Sequence, residues 1–113
     1  MNDFTTTDLA SLIQEYLTYC EVQKRLDEKT LKAYRIDLRQ FREQLRSDRI
    51  ERIDSTTLEK YVASLHQRYL PKTVKRKLAS VKAFFHYLEY RDLIDKNPFN
   101  KMQFHFREPA KLP

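Results

Sequence analysis

Apolar residues recur along the chain at spacings of three and four, which is the period of an amphipathic α-helix. The first run follows the polar cluster Thr5–Asp8, a typical helix start, and predicts a helix from about Asp8 to Gln23. A second run opens at Asp27–Thr30 and predicts a helix that continues to Leu45. The inward positions of these two helices are Leu9, Leu12, Ile13, Tyr16, Leu17, Cys20, Leu31, Tyr34, Leu38, Phe41 and Leu45.

Two further runs complete the pattern. Asp54 or Ser55 caps a third helix, and a fourth begins near Pro71, because a proline in the first turn loses no hydrogen bond. The fourth helix extends to about Tyr90, and Asn97–Pro98 ends any helical continuation. We therefore expect an all-α fold with one domain over residues 1–98 and an extended linker over residues 99–113. The inward positions of the last two helices are Leu58, Tyr61, Val62, Leu65, Val74, Leu78, Val81, Phe85 and Leu88.

The composition excludes several classes of protein. None of the 113 residues is glycine, so there is neither a Walker A loop nor a G-x-G-x-x-G dinucleotide-binding turn. The single cysteine, Cys20, excludes a disulfide framework and indicates a reducing, cytoplasmic location. No apolar run is long enough to span a membrane. The histidines have no cysteine or carboxylate partners at metal-ligand spacing, so we expect no metal site. We also expect neither a cofactor nor a small-molecule substrate.

The net charge of +6 is distributed unevenly along the chain. Residues 1–23 carry four acidic side chains and no basic ones, whereas residues 24–47 carry eight basic and four acidic side chains. Residues 69–91 carry six basic side chains and a single acidic one. The excess of positive charge therefore lies in the second and fourth predicted helices.

Within those two helices the basic residues share faces. In the second helix they repeat at the helical period beside the apolar stripe, at Lys32, Arg35, Arg39, Arg42 and Arg46. In the fourth helix they lie roughly opposite the apolar stripe, at Lys72, Lys75, Arg76 and Lys82, with Ala79, Ser80 and Ala83 among or beside them. A single basic strip is usually a solvated surface, but two strips in one small domain suit the phosphates of a nucleic acid duplex.

Two stretches of the sequence resemble a known family. The run Thr30–Phe41 (TLKAYRIDLRQF) resembles the second helix of the core-binding domain of tyrosine recombinases, which include phage integrases and Xer-type resolvases. The run Thr73–Leu88 (TVKRKLASVKAFFHYL) resembles the fourth helix of that domain, and Leu93–Pro98 resembles the segment that follows it. Leu112–Pro113 is similar to the stretch that enters the catalytic domain, so the resemblance covers nearly the whole chain, from about Leu9.

The resemblance implies an orthogonal four-helix bundle, a SAM-like core-binding domain that forms half of a clamp around double-stranded DNA at a recombination half-site. In that family the second and fourth helices lie against the major groove. Most contacts are expected to bind phosphates, and Lys75 or Arg76 is a candidate to reach a guanine edge. The DNA-binding candidates carried over by position are Lys32, Arg35, Arg39, Lys72, Thr73, Lys75, Arg76, Ser80 and Lys82.

The chain departs from the family pattern at two points. The family commonly has a glycine after the fourth helix, whereas the turn at Arg91–Asp92 must form here without one. Family catalysis uses a tyrosine nucleophile, arginines, a lysine and a His-x-x-Arg pair in a following domain, and the chain contains no His-x-x-Arg. We therefore assign no catalytic residue among its seven tyrosines and expect a non-enzymatic fragment of a recombinase that is tetrameric on DNA.

Two other functions are compatible with parts of the sequence. A self-sufficient nuclease or transferase is disfavoured, because no acid, base, metal-ligand or nucleophile set converges in the pattern. A protein-interaction module of the SAM or death-domain kind would also have a small helical bundle, and its basic surface would meet acidic partners. The dependence of binding on salt separates this second alternative from duplex DNA binding.

Overall fold

A computed structural model describes residues 8–45 and 48–102. They form four α-helices, α1 (Leu9–Val22), α2 (Glu28–Leu45), α3 (Ser55–Arg68) and α4 (Pro71–Tyr90). Short 3₁₀ turns at Ile50–Arg52 and Pro98–Lys101 precede α3 and follow α4. Within these ranges an isolated bridge between Asp8 and Arg49 is the only β pairing. The predicted all-α fold and its four helices are confirmed.

Aspartates set the starts of three helices. Asp8, Asp27 and Asp54 each accept a hydrogen bond from the backbone N–H three residues further on, at 2.8–3.0 Å. Each bond satisfies an N–H group that has no partner inside the helix. Hydrogen bonds from Ser11, Thr30 and Thr57 to the three carboxylates hold their pKa values below the usual range. The start of α4 instead has Pro71 in its first turn, as predicted.

The chain turns without glycine by placing two other residues in the left-handed region. Arg25 has a φ of 54° after α1, and Asp92 has a φ of 58° after α4. At the second turn the N–H of Leu93 donates to the carbonyl of Leu88 at 2.8 Å, and the N–H of Asp92 donates to Glu89 at 3.0 Å. This pair of bonds is the Schellman motif. Asp92 therefore takes the left-handed position at which the family commonly has glycine.

The core lies around α4, which contacts α1, α2 and α3. Phe41, Phe84 and Phe85 are among its largest fully buried side chains, and their rings meet edge to face at 5.5–6.1 Å. Tyr16 and Tyr61 are buried as predicted. The predicted core positions Phe41, Phe85 and Cys20 are also buried, while Tyr34 is half-buried. Burial raises the pKa of the Cys20 thiol, as it does that of the Tyr16 and Tyr61 hydroxyls.

A residue that follows Pro98 also contributes to the core. Phe99 is buried, its ring lies 5.4 Å from the ring of Phe85, and its N–H donates to the Asn97 side chain at 3.0 Å. Helix α4 already ends at Tyr90, and Asn97 instead caps the 3₁₀ turn at Pro98–Lys101, in which Phe99 packs its large apolar surface into the core. The remainder of the predicted linker, residues 103–113, lies outside the described residues.

Candidate nucleic-acid interface

The basic strip of α2 projects into solvent over most of its length. Lys32, Arg35 and Arg39 are exposed. Arg35 lies 3.7 Å from Glu28, and since both side chains reach solvent, this ion pair contributes little and can exchange for an anionic ligand. Arg42 is half-buried, and its Nε lies 3.6 Å from Oδ1 of Asp48. It stands at the end of the basic strip that is nearest to the start of α1. Arg46, the last predicted member, lies outside the described residues.

The exposed face of α4 carries the second basic set. Lys72, Lys75, Arg76 and Lys82 are exposed, and Ala79 lies exposed among them. The small alanine side chain leaves room for close approach of another surface. The candidate contact Thr73 is half-buried in the first turn of the same helix.

Ser80 differs from the other candidates, because only 3% of its surface is exposed. Its hydroxyl donates to Oδ2 of Asp37 at 2.7 Å, on the side of α4 that packs against α2. The expectation that Ser80 contacts DNA therefore does not fit its position. The physical reason is that α4 packs against three helices, so its buried face is wider than the single apolar stripe from which the sequence prediction started.

Ser80 belongs to a polar cluster between α2 and α4, which we call the Asp37 cluster. The Asp37 side chain is fully buried and accepts hydrogen bonds from Nη1 of Arg76 at 2.9 Å and from Nζ of Lys77 at 3.1 Å. Lys77 also donates to Oε1 of Gln40 at 2.6 Å. The cluster consists of Asp37, Gln40, Arg76, Lys77 and Ser80.

Sequence reasoning overlooked this cluster, although a signal was present. Asp37 lies three residues after Tyr34 and four residues before Phe41, so it occupies the apolar stripe of α2. A charged side chain at such a position is rarely buried unless it is paired. The basic face of α4 supplies the pairing cations. The spacing therefore predicts a buried ion pair between the second helix and a basic helix.

The basic side chains of α2 and those of α4 point away from the contact between the two helices, and they do so in different directions. At that contact Asp37 of α2 bonds to Arg76, Lys77 and Ser80 of α4, and Gln40 of α2 bonds to Lys77. Successive residues of a helix are rotated by about 100° around its axis. By this rotation the basic side chains of α2 lie about 160° away from Asp37, and those of α4 lie about 100° away from Ser80. The α2 strip is therefore on the outer flank of the helix pair, and Arg76 is the candidate that lies at the junction.

A groove of about 570 Å³ adjoins the basic face of α4. Lys82 and His86 of α4 line it together with Lys24 from the turn after α1. Its other walls are aromatic or apolar, formed by Tyr16, Tyr19, Leu26, Tyr34, Ala83, Tyr87 and Tyr90. The groove places tyrosine rings directly beside the basic surface.

The described ranges hold neither a candidate metal site nor a candidate membrane span. Residues 8–45 and 48–102 contain no group of three or more histidine, cysteine or acidic side chains that could hold a metal ion. In the same part of the chain, no helix combines the length and the apolar character that crossing a membrane requires.

Known proteins resemble the chain over nearly all of its length. A tyrosine recombinase of Agathobacter rectalis is 58% identical over 106 residues, which is 94% of this chain and 35% of the relative. The tyrosine recombinase XerC of Pediococcus pentosaceus is 33% identical over 94% of this chain and 36% of its own length. The chain thus spans about a third of the length of these curated relatives. No solved structure matches it significantly.

The family comparison agrees with the fold. The family described as "Phage integrase, N-terminal SAM-like domain" matches residues 13–92, a range that includes most of α1 and all of α2, α3 and α4. Most of the core, the contact of α2 with α4 and the described members of both basic sets lie within this range. The chain belongs to the phage integrase family, of which it carries the N-terminal SAM-like domain.

Proposed function

We propose that the chain is the DNA-binding domain of a site-specific tyrosine recombinase and that it clamps duplex DNA at a recombination half-site. The observation that carries this proposal is the exposure of basic side chains on α2 and α4, while the other faces of these helices form the core. Lysine and arginine side chains displace condensed counterions from a duplex, and this release drives binding.

The divergence of the two basic sets suggests a division of roles. The face of α4 would lie against a groove, where Ala79 permits close approach, and Lys75 or Arg76 could reach a guanine edge. The strip on the outer flank of α2 would then meet a neighbouring run of phosphates. The proposed contacts are the exposed Lys32, Arg35, Arg39, Lys72, Lys75, Arg76 and Lys82, together with the half-buried Thr73.

The activity of the whole protein is part of the same proposal. Its relatives are tyrosine recombinases about three times as long as this chain. We propose that the full-length protein exchanges DNA strands through a phosphotyrosine intermediate, with a nucleophile supplied outside residues 1–113. Such a protein would act on DNA in the bacterial cytoplasm.

A tetramer on DNA is the assembly that this proposal implies. Helix α1 carries Glu15 and Glu21 on its exposed surface, and it contributes none of the proposed DNA contacts. We propose that this acidic surface meets a neighbouring protomer. Replacing both glutamates by glutamine should weaken assembly of full-length protein on paired sites without changing binding to a single half-site, and unchanged assembly would contradict this step.

Salt-dependent binding to a duplex tests the DNA-binding proposal. A domain that contacts about six phosphates should lose affinity with a log–log slope near −5 as salt rises from about 50 to 200 mM. Lys75→Ala should flatten that slope by about one unit, because it removes one phosphate contact. The matched control is Lys60→Ala, which removes an exposed lysine from α3. A slope indistinguishable from zero on every duplex would refute the proposal and favour a protein-interaction module.

A further inference from the structure

The Asp37 cluster holds more positive charge than its buried carboxylate requires. The side chain of Asp37 is fully buried and that of Lys77 is 5% exposed, so these two form a buried and nearly neutral pair. Arg76 brings a second cation to the same carboxylate, and its side chain is 51% exposed. The cluster therefore carries one net positive charge, and this charge lies at the surface.

The buried pair is well satisfied without Arg76. Asp37 accepts bonds from Lys77 at 3.1 Å and from the Ser80 hydroxyl at 2.7 Å. Lys77 in turn bonds to Gln40 and lies 5.0 Å from the centre of the Tyr69 ring, a cation–π distance. If the only role of the Asp37–Lys77 ion pair were to join two helices, it would need no second cation such as the Arg76 guanidinium. The position of Arg76 therefore calls for an explanation other than packing.

The bond to Asp37 restrains the direction in which Arg76 points. Nη1 lies 2.9 Å from Oδ2 of Asp37, and the guanidinium is planar, so a fixed Nη1 constrains the donors on its other edges. A side chain that is already ordered loses less entropy when it binds an anion than a mobile lysine or arginine does. Since Asp37 is on α2 and Arg76 on α4, the same bond joins the two helices that carry the basic sets.

We propose that Asp37 is a positioning residue for DNA binding, because its buried carboxylate on α2 orients the Arg76 guanidinium of α4 toward the duplex. The inference rests on the proposed function, which supplies the anion. Asp37 itself touches no DNA and acts only through Arg76. The proposal thus gives an acidic residue a favourable role in binding a polyanion.

The direction in which DNA affinity changes distinguishes this role from the effect of net charge alone. Asp37→Asn removes a negative charge, so charge alone predicts tighter binding to a duplex. The positioning role predicts weaker binding, because the asparagine carbonyl holds Arg76 by a bond that lacks the charge assistance of the carboxylate. Since this substitution leaves Lys77 buried without its partner, the decisive variant is the double substitution Asp37→Asn with Lys77→Met, which keeps the net charge at +6 and leaves no unpaired buried ion.

The experiment is a double-mutant cycle on the 113-residue chain. Binding to a fluorescent duplex is measured by anisotropy for the parent, for D37N/K77M, for Arg76→Ala and for the triple variant, with far-UV circular dichroism as the check on folding. We expect D37N/K77M to weaken binding about fivefold to tenfold, the order of loss of one charge-assisted contact. Arg76→Ala should weaken binding to a similar extent in the parent and have little further effect in D37N/K77M. Lys60→Ala again serves as the exposed control.

The outcomes distinguish this inference from the proposed function. If the parent binds with a steep salt dependence but D37N/K77M binds as tightly as the parent, the positioning role is wrong and the DNA-binding proposal stands. An equal effect of Arg76→Ala in both backgrounds would also overturn it, since Arg76 would then act without Asp37. If the parent shows no salt-dependent binding at all, the DNA-binding proposal fails and the inference fails with it.

Discussion

Removal of the negative charge at Asp37 should be among the most destabilising single substitutions in α2. Asp37→Asn keeps the shape of the side chain but leaves the Lys77 ammonium, which is 5% exposed, without its anionic partner. Breaking a buried ion pair on one side costs about 3–5 kcal/mol, because an uncompensated charge remains in the interior. Lys77→Met should cost only about 1–2 kcal/mol, since Asp37 keeps its bonds to Arg76 and Ser80.

The assay is urea unfolding at neutral pH, followed by far-UV circular dichroism, on the parent, both single variants and the double variant. The double variant should be more stable than Asp37→Asn alone by about 2 kcal/mol, because the second substitution removes the unpaired ion. An exposed aspartate supplies the control, and Asp95→Asn should change the free energy of unfolding by less than about 0.5 kcal/mol. Small and additive effects of the two single substitutions would refute the reasoning, since Asp37 and Lys77 would then not form a coupled buried pair.

Two further predictions concern acid stability and the glycine-free turns. The three capping aspartates have pKa values below the ordinary value of 3.8, so their contribution to stability is complete above that value and is lost as the pH falls below about 4. Asparagine at all three positions should therefore reduce the loss of stability between about pH 5 and pH 2 in thermal unfolding. Arg25→Gly should raise the free energy of unfolding by about 1 kcal/mol, because glycine adopts a φ of 54° without steric cost. Asp92→Gly should gain less, because aspartate tolerates this region better than arginine.

Each of these two predictions has an outcome that contradicts it. An acid unfolding profile that is the same with asparagine caps would show that the carboxylates make no stronger bonds than neutral caps do. A loss of stability on Arg25→Gly in urea unfolding would show that the flexibility gained by the unfolded chain outweighs the relief of steric strain.

The helices of this fold were predictable because the signals for them are local. Each start has an aspartate or a proline at the expected place, and the apolar period of each helix is unbroken, as in the run from Val74 to Leu88. The exposed bases at Lys32 and Lys75 followed from the same period. These features depend on residues only a few positions apart.

The remaining features depend on contacts between distant segments. Ser80 and Lys77 are buried because α4 packs on three sides, and one helix period does not show how many partners a helix has. The pairing of Asp37 with Arg76 joins residues on different helices. Phe99 is buried against the ring of Phe85 in α4. In the sequence, Phe85 is only one member of the apolar stripe of that helix, and no local pattern indicates that Phe99 contacts it. The candidate site was thus predicted for its exposed charges and not for the buried cluster behind them.

The central claim is that α2 and α4 present the DNA-binding surface. A titration of the isotope-labelled chain with a duplex, followed by amide chemical shifts, tests it most directly. We predict that the largest shifts and broadening occur at Lys32, Arg35 and Arg39 of α2 and at the exposed bases of α4, and that they diminish as salt is added. Perturbations confined to α1 and α3, or the absence of any change at low salt, would contradict the claim.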